Sequence, residues 1–267
     1  MIVAVLGAGK IGEAVARGLA QSENVSRVII TKRNVSTLAD DLKHVKKIEI
    51  STDNKKAAQR AEVVILAVKA ADGKHVLREI SEFVSGKIVI SLMAAISIRS
   101  IQSILPHSKI VRAMPNIAAT IGEAITAFAP DQNLTKEDLE KVQMVFSTFG
   151  DSIQVPESLM DAVTALSGSG PAYIAVMIES MVSAGLKVGM PRDTAFKLAT
   201  KTLTGTANLL SQKGMHPAEL RDSVTTPAGT TIAGLYELEK GSFRTSIINA
   251  VEAATLAAQK VAQKFED

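Results

Sequence analysis

Residues 3–19 read VAVLGAGKIGEAVARGL. An apolar run, Val3–Leu6, passes directly into Gly7-x-Gly9-x-x-Gly12, and a helical stretch follows. That order reads as a strand, a tight turn and a helix. The first glycine suits the turn, the second a close approach to a pyrophosphate, and the third packing of helix against strand. An anion would lie on the helix N-terminus, against the turn Gly7, Ala8, Gly9, Lys10, Ile11, Gly12. A bare glycine motif is shared by many proteins. Its place between a first strand and a first helix is what gives it weight.

The next apolar run, VIIT, ends in Lys32, Arg33 and Asn34. A unit that binds NAD places Asp or Glu at that strand end, where the carboxylate bonds the ribose 2′-hydroxyl and repels a 2′-phosphate. Bases there select for NADP. A guanidinium grips phosphate through two N–H bonds, and a lysine adds a compact charge. The other reading is a solvated basic turn.

The front part of the chain continues to alternate short β-rich runs with helical stretches: IEIS, KKAAQRA, VVILAVK, HVLREISEFV, KIVISLM, SIRSIQSIL and KIVRAMPN. STLADDLKHV reads as a helix in the same series, and Thr135 with Asp138 reads as a capping box opening LTKEDLEKVQMVFSTFG. Strands buried on both faces and separated by helices imply a Rossmann-type doubly wound parallel sheet. Ligands in such sheets lie beyond the carboxyl ends of the strands. Lys69, after VVILAV, is placed there to hold phosphate, ribose or a substrate carboxylate, or is an exposed strand-end lysine. Asn116, after KIVRAMP, can serve a carboxamide or a ribose hydroxyl, or shape the turn after Pro115.

From about Leu159 the strand signals cease. Stretches rich in Ala, Leu, Met and Val take over, with Pro171, Pro191 and Pro217 at helix starts and Gly189, Gly214 and Gly241 near ends. Residues 1–157 are therefore expected to form the nucleotide-binding domain, and 158–267 an all-helical domain. Several of its helices are apolar around most of their circumference, so a second copy is the expected cover. SGSGPAY, residues 167–173, is a run of tiny residues that lets a helix or a cofactor approach its backbone. TTPAGTTIAGLYELE, residues 225–239, offers backbone N–H groups at a helix start to a carboxylate, or is capped by Thr230 or Thr231.

Composition removes other classes. The chain of 267 residues has no cysteine, so disulfides, thiolate zinc sites and a cysteine nucleophile are excluded. Its four histidines lack metal-ligand spacing, and no metal is expected. With 3% aromatics, no Trp and a net charge of +3, there is no stacking ladder or dense basic face for nucleic acid. That excess of base lies in residues 1–157, compatible with a phosphate-bearing ligand. No apolar run reaches the ~18 residues of a membrane span. The first residues read as a core strand without a basic leader, so a cytoplasmic location is expected.

GAGKIGEA, AVK, RAMPN, SGSGPAY, GMP at 189–191, HP at 216–217, PAGTTI and GSFR…INAVEA stand in the order found in pyrroline-5-carboxylate reductases, and the chain resembles that family throughout. The resemblance implies reduction of a cyclic imine carboxylate to L-proline with NADPH, NADH being an alternative donor. It also implies a helical dimerisation domain, a homodimer, and in some members a ring of dimers. By position, Asn54 falls near the adenosine ribose, and Ala67, Val68 and Lys69 form a cofactor-facing turn. Gly229, Thr230 and Thr231 fall on the loop that holds the substrate carboxylate. Thr231 is the implied catalytic hydroxyl, bonded to the ring nitrogen. The chain departs from the pattern at Ala70, where proline is usual, at Ala228, where a second glycine is common, and at SLMAAIS, which replaces an Ala-Ala-Gly turn.

The residues suit that chemistry. Reducing a ketone requires a proton donor for the alkoxide, and the helical part offers no His/Asp pair. An imine enters already protonated and accepts hydride without a strong acid, so positioning supplies most of the rate. Two other readings share part of the pattern. A β-hydroxyacid dehydrogenase would need a catalytic lysine on the helical side, for which Lys187 has no supporting motif. A non-catalytic NADP-sensing dimer would need no threonine loop.

Overall fold

The computed structural model describes the backbone of residues 1–266 and the side chains of 1–263. Strands β1 (Ile2–Leu6), β2 (Arg27–Thr31) and β3 (Ile48–Ser51) alternate with helices α1 (Lys10–Gln21) and α2 (Asn54–Arg60). Then come β4 (Val63–Leu66), α3 (Ala70–Ile80), β5 (Ile88–Ser91), α4 (Ile98–Gln102) and β6 (Lys109–Met114). β7 (Ala124–Pro130), α5 (Lys136–Ser147) and β8 (Gly150–Gln154) complete an eight-stranded sheet of order β3-β2-β1-β4-β5-β6-β7-β8.

β1 to β6 are parallel, as the alternating pattern predicts. β7 runs antiparallel to β6, and β8 pairs parallel with β7, so the sheet is mostly rather than wholly parallel. The strand order reverses between β1 and β4, which opens a crevice at their carboxyl ends. Successive side chains of β1 serve opposite faces of the sheet: Val3 and Val5 join one apolar cluster, Ala4 and Leu6 the other. That two-sided burial is why the early strands read as unbroken apolar runs.

STLADDLKHV is not the helix its pattern suggests. Two 3₁₀ turns, Val35–Thr37 and Asp40–His44, take its place, with Leu42 alone buried in them. The capping box of α5 forms as expected: Thr135 accepts from the Asp138 N–H, and the Asp138 carboxylate accepts from the Thr135 N–H.

No strand follows Gln154 among the described residues. α6 (Met160–Val163) runs into a π-helical turn, Thr164–Gly168, and then come α7 (Gly170–Lys187), α8 (Arg192–Lys213), α9 (Pro217–Ser223), α10 (Thr230–Lys240) and α11 (Phe243–Glu266). Pro191 caps α8, Gly214 closes it in the left-handed conformation, and Pro217 stands in the first turn of α9. Two compact units result, residues 1–171 with the end of α11 from Glu252, and residues 172–251. The core of the second is small: Val182, Ala195 and Ala199, backed by Ile178 and Met190.

Candidate active site

At the end of β1, Gly7 adopts a φ of +104°, which L side chains rarely adopt. A Cβ on Gly7 would also lie 2.7 Å from the Val68 side chain and 2.8 Å from the Ala67 backbone. A Cβ on Gly12 would lie 2.0 Å from the Gly7 carbonyl oxygen. These two glycines therefore close the turn and seat α1 on it. Gly9 differs, since a Cβ there would meet nothing within 4 Å. It caps α1 without a side-chain hydrogen bond, and the first N–H groups of the helix have no carbonyl of their own turn to bond. An open space before unpaired donors at a helix start fits a pyrophosphate, so these residues suit a dinucleotide.

Ala67 and Val68, from the end of β4, stand against this turn, and the Ala67 N–H donates to the Leu6 carbonyl over 2.8 Å. Lys69 is exposed as the N-cap of α3, with no side-chain capping bond. On the other side, the Gly7 and Ala8 N–H groups both donate to the Thr31 carbonyl at the end of β2. The Thr31 hydroxyl donates to Asn54 Oδ1 over 2.7 Å, and Asn54 Nδ2 donates to Glu79 Oε2 over 2.8 Å. The structure thus brings Asn54 to the strand end beside the glycine turn. Thr31 and Glu79 were not legible as site residues: Thr31 reads as the last position of a β-rich run, and Glu79 lies 25 residues from its partner.

Beyond Thr31 the three polar residues are used differently. The Lys32 ammonium donates to Glu13 Oε1 and to the Thr37 carbonyl, each over 2.8 Å. Arg33 is 89% exposed along its side chain, and its one ion pair among the described residues is with Asp72, at 3.1 Å. Asn34 Oδ1 accepts from the Ser36 N–H and hydroxyl, which folds the first 3₁₀ turn. Of the three, the guanidinium of Arg33 is the one most open to a phosphate.

At the end of β6, Asn116 caps a 3₁₀ turn through Ala118, which realises the turn-forming reading, while its Nδ2 lies 3.5 Å from the Ser167 hydroxyl. So RAMPN and SGSGPAY meet. Arg112, four residues earlier, is 5% exposed and bonds Asp161 at 3.1 Å and Glu157 at 3.5 Å. Glu157 also accepts from the Ile98 N–H over 2.7 Å. Arg112 was missed because its partners lie 45 and 49 residues away.

The threonine loop belongs to the second unit. Ala228 sits at φ +55°, Gly229 caps α10 without a side-chain bond, and Thr230 and Thr231 fall in the first helical turn. Capping by either threonine is therefore not what the loop does. A Cβ on Gly229 would lie 2.3 Å from the Thr226 hydroxyl oxygen, so that glycine is needed for the loop's own packing. Ala228 and Gly229 border an open cavity of about 480 Å³ together with Ile232 and Tyr236.

Fold and site together define a dinucleotide-binding protein of Rossmann type joined to a helical unit. Residues 157–261 match the family model for pyrroline-5-carboxylate reductase dimerisation, and residues 2–95 match that for coenzyme F420-dependent NADP oxidoreductase. A pyrroline-5-carboxylate reductase of Synechocystis sp. is 41% identical over 97% of this chain and 98% of its own length. One from Methanosarcina acetivorans is 40% identical over 98% of each chain. The crystal structure of Plasmodium falciparum pyrroline carboxylate reductase with NADP bound superposes with a TM-score of 0.89, at 28% identity over 98% of both chains. This chain belongs to the pyrroline-5-carboxylate reductase family.

Proposed function

We propose that the protein reduces 1-pyrroline-5-carboxylate to L-proline with NADPH, the closing step of proline synthesis, with NADH as a weaker donor. The observation that carries this reading is the likeness to such reductases along 97% of the chain at 41% identity. The reduced nicotinamide supplies the hydride when bound. The start of α1 holds the pyrophosphate, Asn54 the adenosine ribose, and Arg33, the most open residue of the strand end Lys32, Arg33 and Asn34, the 2′-phosphate. Ala67, Val68, Lys69 and Asn116 line the remainder of the cofactor site.

Gly229 leaves the first N–H groups of α10 to the substrate carboxylate. The Thr231 hydroxyl then orients the ring nitrogen, which arrives protonated, so that the imine carbon faces the donor. An unperturbed hydroxyl is a poor acid, and its role here is placement. The division at 157 and 158 between a cofactor part and a dimerisation part belongs to this reading, supported by the family match beginning at residue 157. So does the homodimer: Val176, Val188, Phe196, Tyr236 and Ile248 are each more than half exposed in the single chain. A ring of dimers is a further level of the same assembly. No described helix is long and apolar enough to cross a membrane, and the cytoplasm is the compartment this reading assigns.

The test is NADPH consumption with pyrroline-5-carboxylate beside a panel of 2-keto acids, and NADP⁺ reduction with 3-hydroxy acids. Turnover confined to the imine supports the reading. Turnover of a 3-hydroxy acid would replace it with the dehydrogenase reading, and none with any substrate would leave a binding protein.

A further inference from the structure

Lys32 stands at the strand end where a 2′-phosphate is expected, yet its ammonium is already engaged. Glu13 Oε1 and the Thr37 carbonyl each lie 2.8 Å from it, and the two side chains are only 21% and 18% exposed. A pair this enclosed holds its geometry better than a surface pair, because both charges are shielded from competing water. Arg33, beside it, meets Asp72 at 3.1 Å. The four charges at this rim, Lys32, Arg33, Glu13 and Asp72, therefore sum to zero, in place of the two positive charges that Lys32 and Arg33 alone suggest.

We propose that Glu13, acting through Lys32, is a specificity-determining residue: its carboxylate cancels the ammonium and holds it back from the rim, so discrimination of NADPH from NADH rests on Arg33 and stays modest. The inference rests on the reading that this strand end meets the 2′-phosphate. A 2′-phosphate adds up to two negative charges to the pyrophosphate that both dinucleotides carry, so one uncompensated carboxylate placed or removed behind the rim acts most strongly on the phosphorylated cofactor. The unphosphorylated ribose is nearly indifferent to it.

The full chain is tested by calorimetric titration with NADP⁺ and NAD⁺, and with 2′,5′-ADP as a fragment that reports the rim alone. Glu13→Gln keeps an oxygen for Lys32 and removes only charge. It should tighten NADP⁺ and 2′,5′-ADP by about three- to tenfold and leave NAD⁺ within about twofold. Lys32→Met leaves Glu13 bare and should weaken NADP⁺ by a similar factor. The double variant, neutral at both positions, should return the NADP⁺/NAD⁺ ratio to about that of the parent. A Lys32 that gripped phosphate directly would lose the same binding with or without Glu13. A ratio unmoved by Glu13→Gln, or a Lys32→Met loss kept in full in the double variant, overturns the proposal. Arg33→Ala separates the two layers. A loss specific to NADP⁺ upholds the phosphate site whatever Glu13 does, and equal losses for both dinucleotides remove that site and this proposal with it.

Discussion

Thr231 is half-buried in the first turn of α10, and no side-chain bond from it or Thr230 caps the helix. No hydrogen bond within the described residues engages its hydroxyl, which is therefore open to a ligand or to water. Thr231→Val keeps the shape and removes the hydrogen bond. It is expected to lower kcat by about ten- to a hundredfold, the worth of one hydrogen bond to a charged group, with NADPH binding near normal. Single-turnover hydride transfer checks this, and an unchanged hydride step would reduce Thr231 to a helix residue. Gly229→Val acts on the loop itself, because the new Cβ would strike the Thr226 hydroxyl. The loop must shift, so KM should rise while kcat at saturation falls less. Two alanines at positions where the sequence departs from the pattern it resembles share one physical character: Ala95 and Ala228 both hold the left-handed conformation, at φ +66° and +55°, where glycine costs least. Placing alanine there costs about 1 kcal/mol, partly offset by the lower entropy of its unfolded chain. Ala228→Gly is accordingly expected to change stability by less than about 1 kcal/mol while loosening the substrate loop, visible as a higher KM in steady-state assays.

β3 and α2 are tied to β2 by one carboxylate. Glu49 accepts from the two terminal guanidinium nitrogens, Nη1 and Nη2, of Arg60 and from Arg27 at 3.0 Å, and these bonds pull its pKa from 4.5 down to about 2. The folded value is the lower one, so the group adds stability above pH 4.5, and that contribution fades as pH falls through about 2. Its partners are about half exposed, at 50% and 45%, which limits the net worth to about 1 kcal/mol. Glu49→Gln should therefore lower the denaturant midpoint at pH 7 and hardly alter it near pH 2, measured side by side. Contacts of this kind explain how far the elements were legible. β1, β2, β4, β5 and β6 announce themselves because burial on both faces demands continuous apolar runs. β8, Gly150–Gln154, has no buried residue and so no such run, and β7 ends in a proline. The glycine turn was readable because backbone geometry selects residue types locally. Arg112, Thr31 and Glu79 were not, because their meaning lies in partners that only the folded sheet brings near.

At the scale of the molecule, packing carries the compact sheet unit past residue 157, where the dimerisation-family match begins, as far as Pro171. Met160 is fully buried in the apolar cluster on one face of the sheet, and Arg112 on β6 reaches past the end of β8 to Glu157 and Asp161. A chain cut after residue 157 keeps Arg112 and Glu157, but loses Asp161 and the Met160 side chain. Losing Asp161 removes the shorter of the two ion pairs of the buried Arg112 and leaves it only Glu157, and losing a buried methionine exposes the apolar surface it covered. A chain cut after Pro171 keeps both, together with the π-helical turn that places Ser167 beside Asn116. The fragment 1–171 is therefore expected to fold and bind NADP⁺, and 1–157 to unfold at markedly lower denaturant by several kcal/mol. Both lack the threonine loop and most of the residues matched to the dimerisation family, so neither should reduce the imine, and both should sediment as monomers. The full chain, by contrast, should show a melting temperature that rises with protein concentration, since assembly buries helices that the small core of the second unit leaves open. Equal stability of the two fragments would mean that the Arg112 ion pair and Met160 hold nothing together. A dimeric 1–171 would place the self-association surface on the sheet domain instead of the helices.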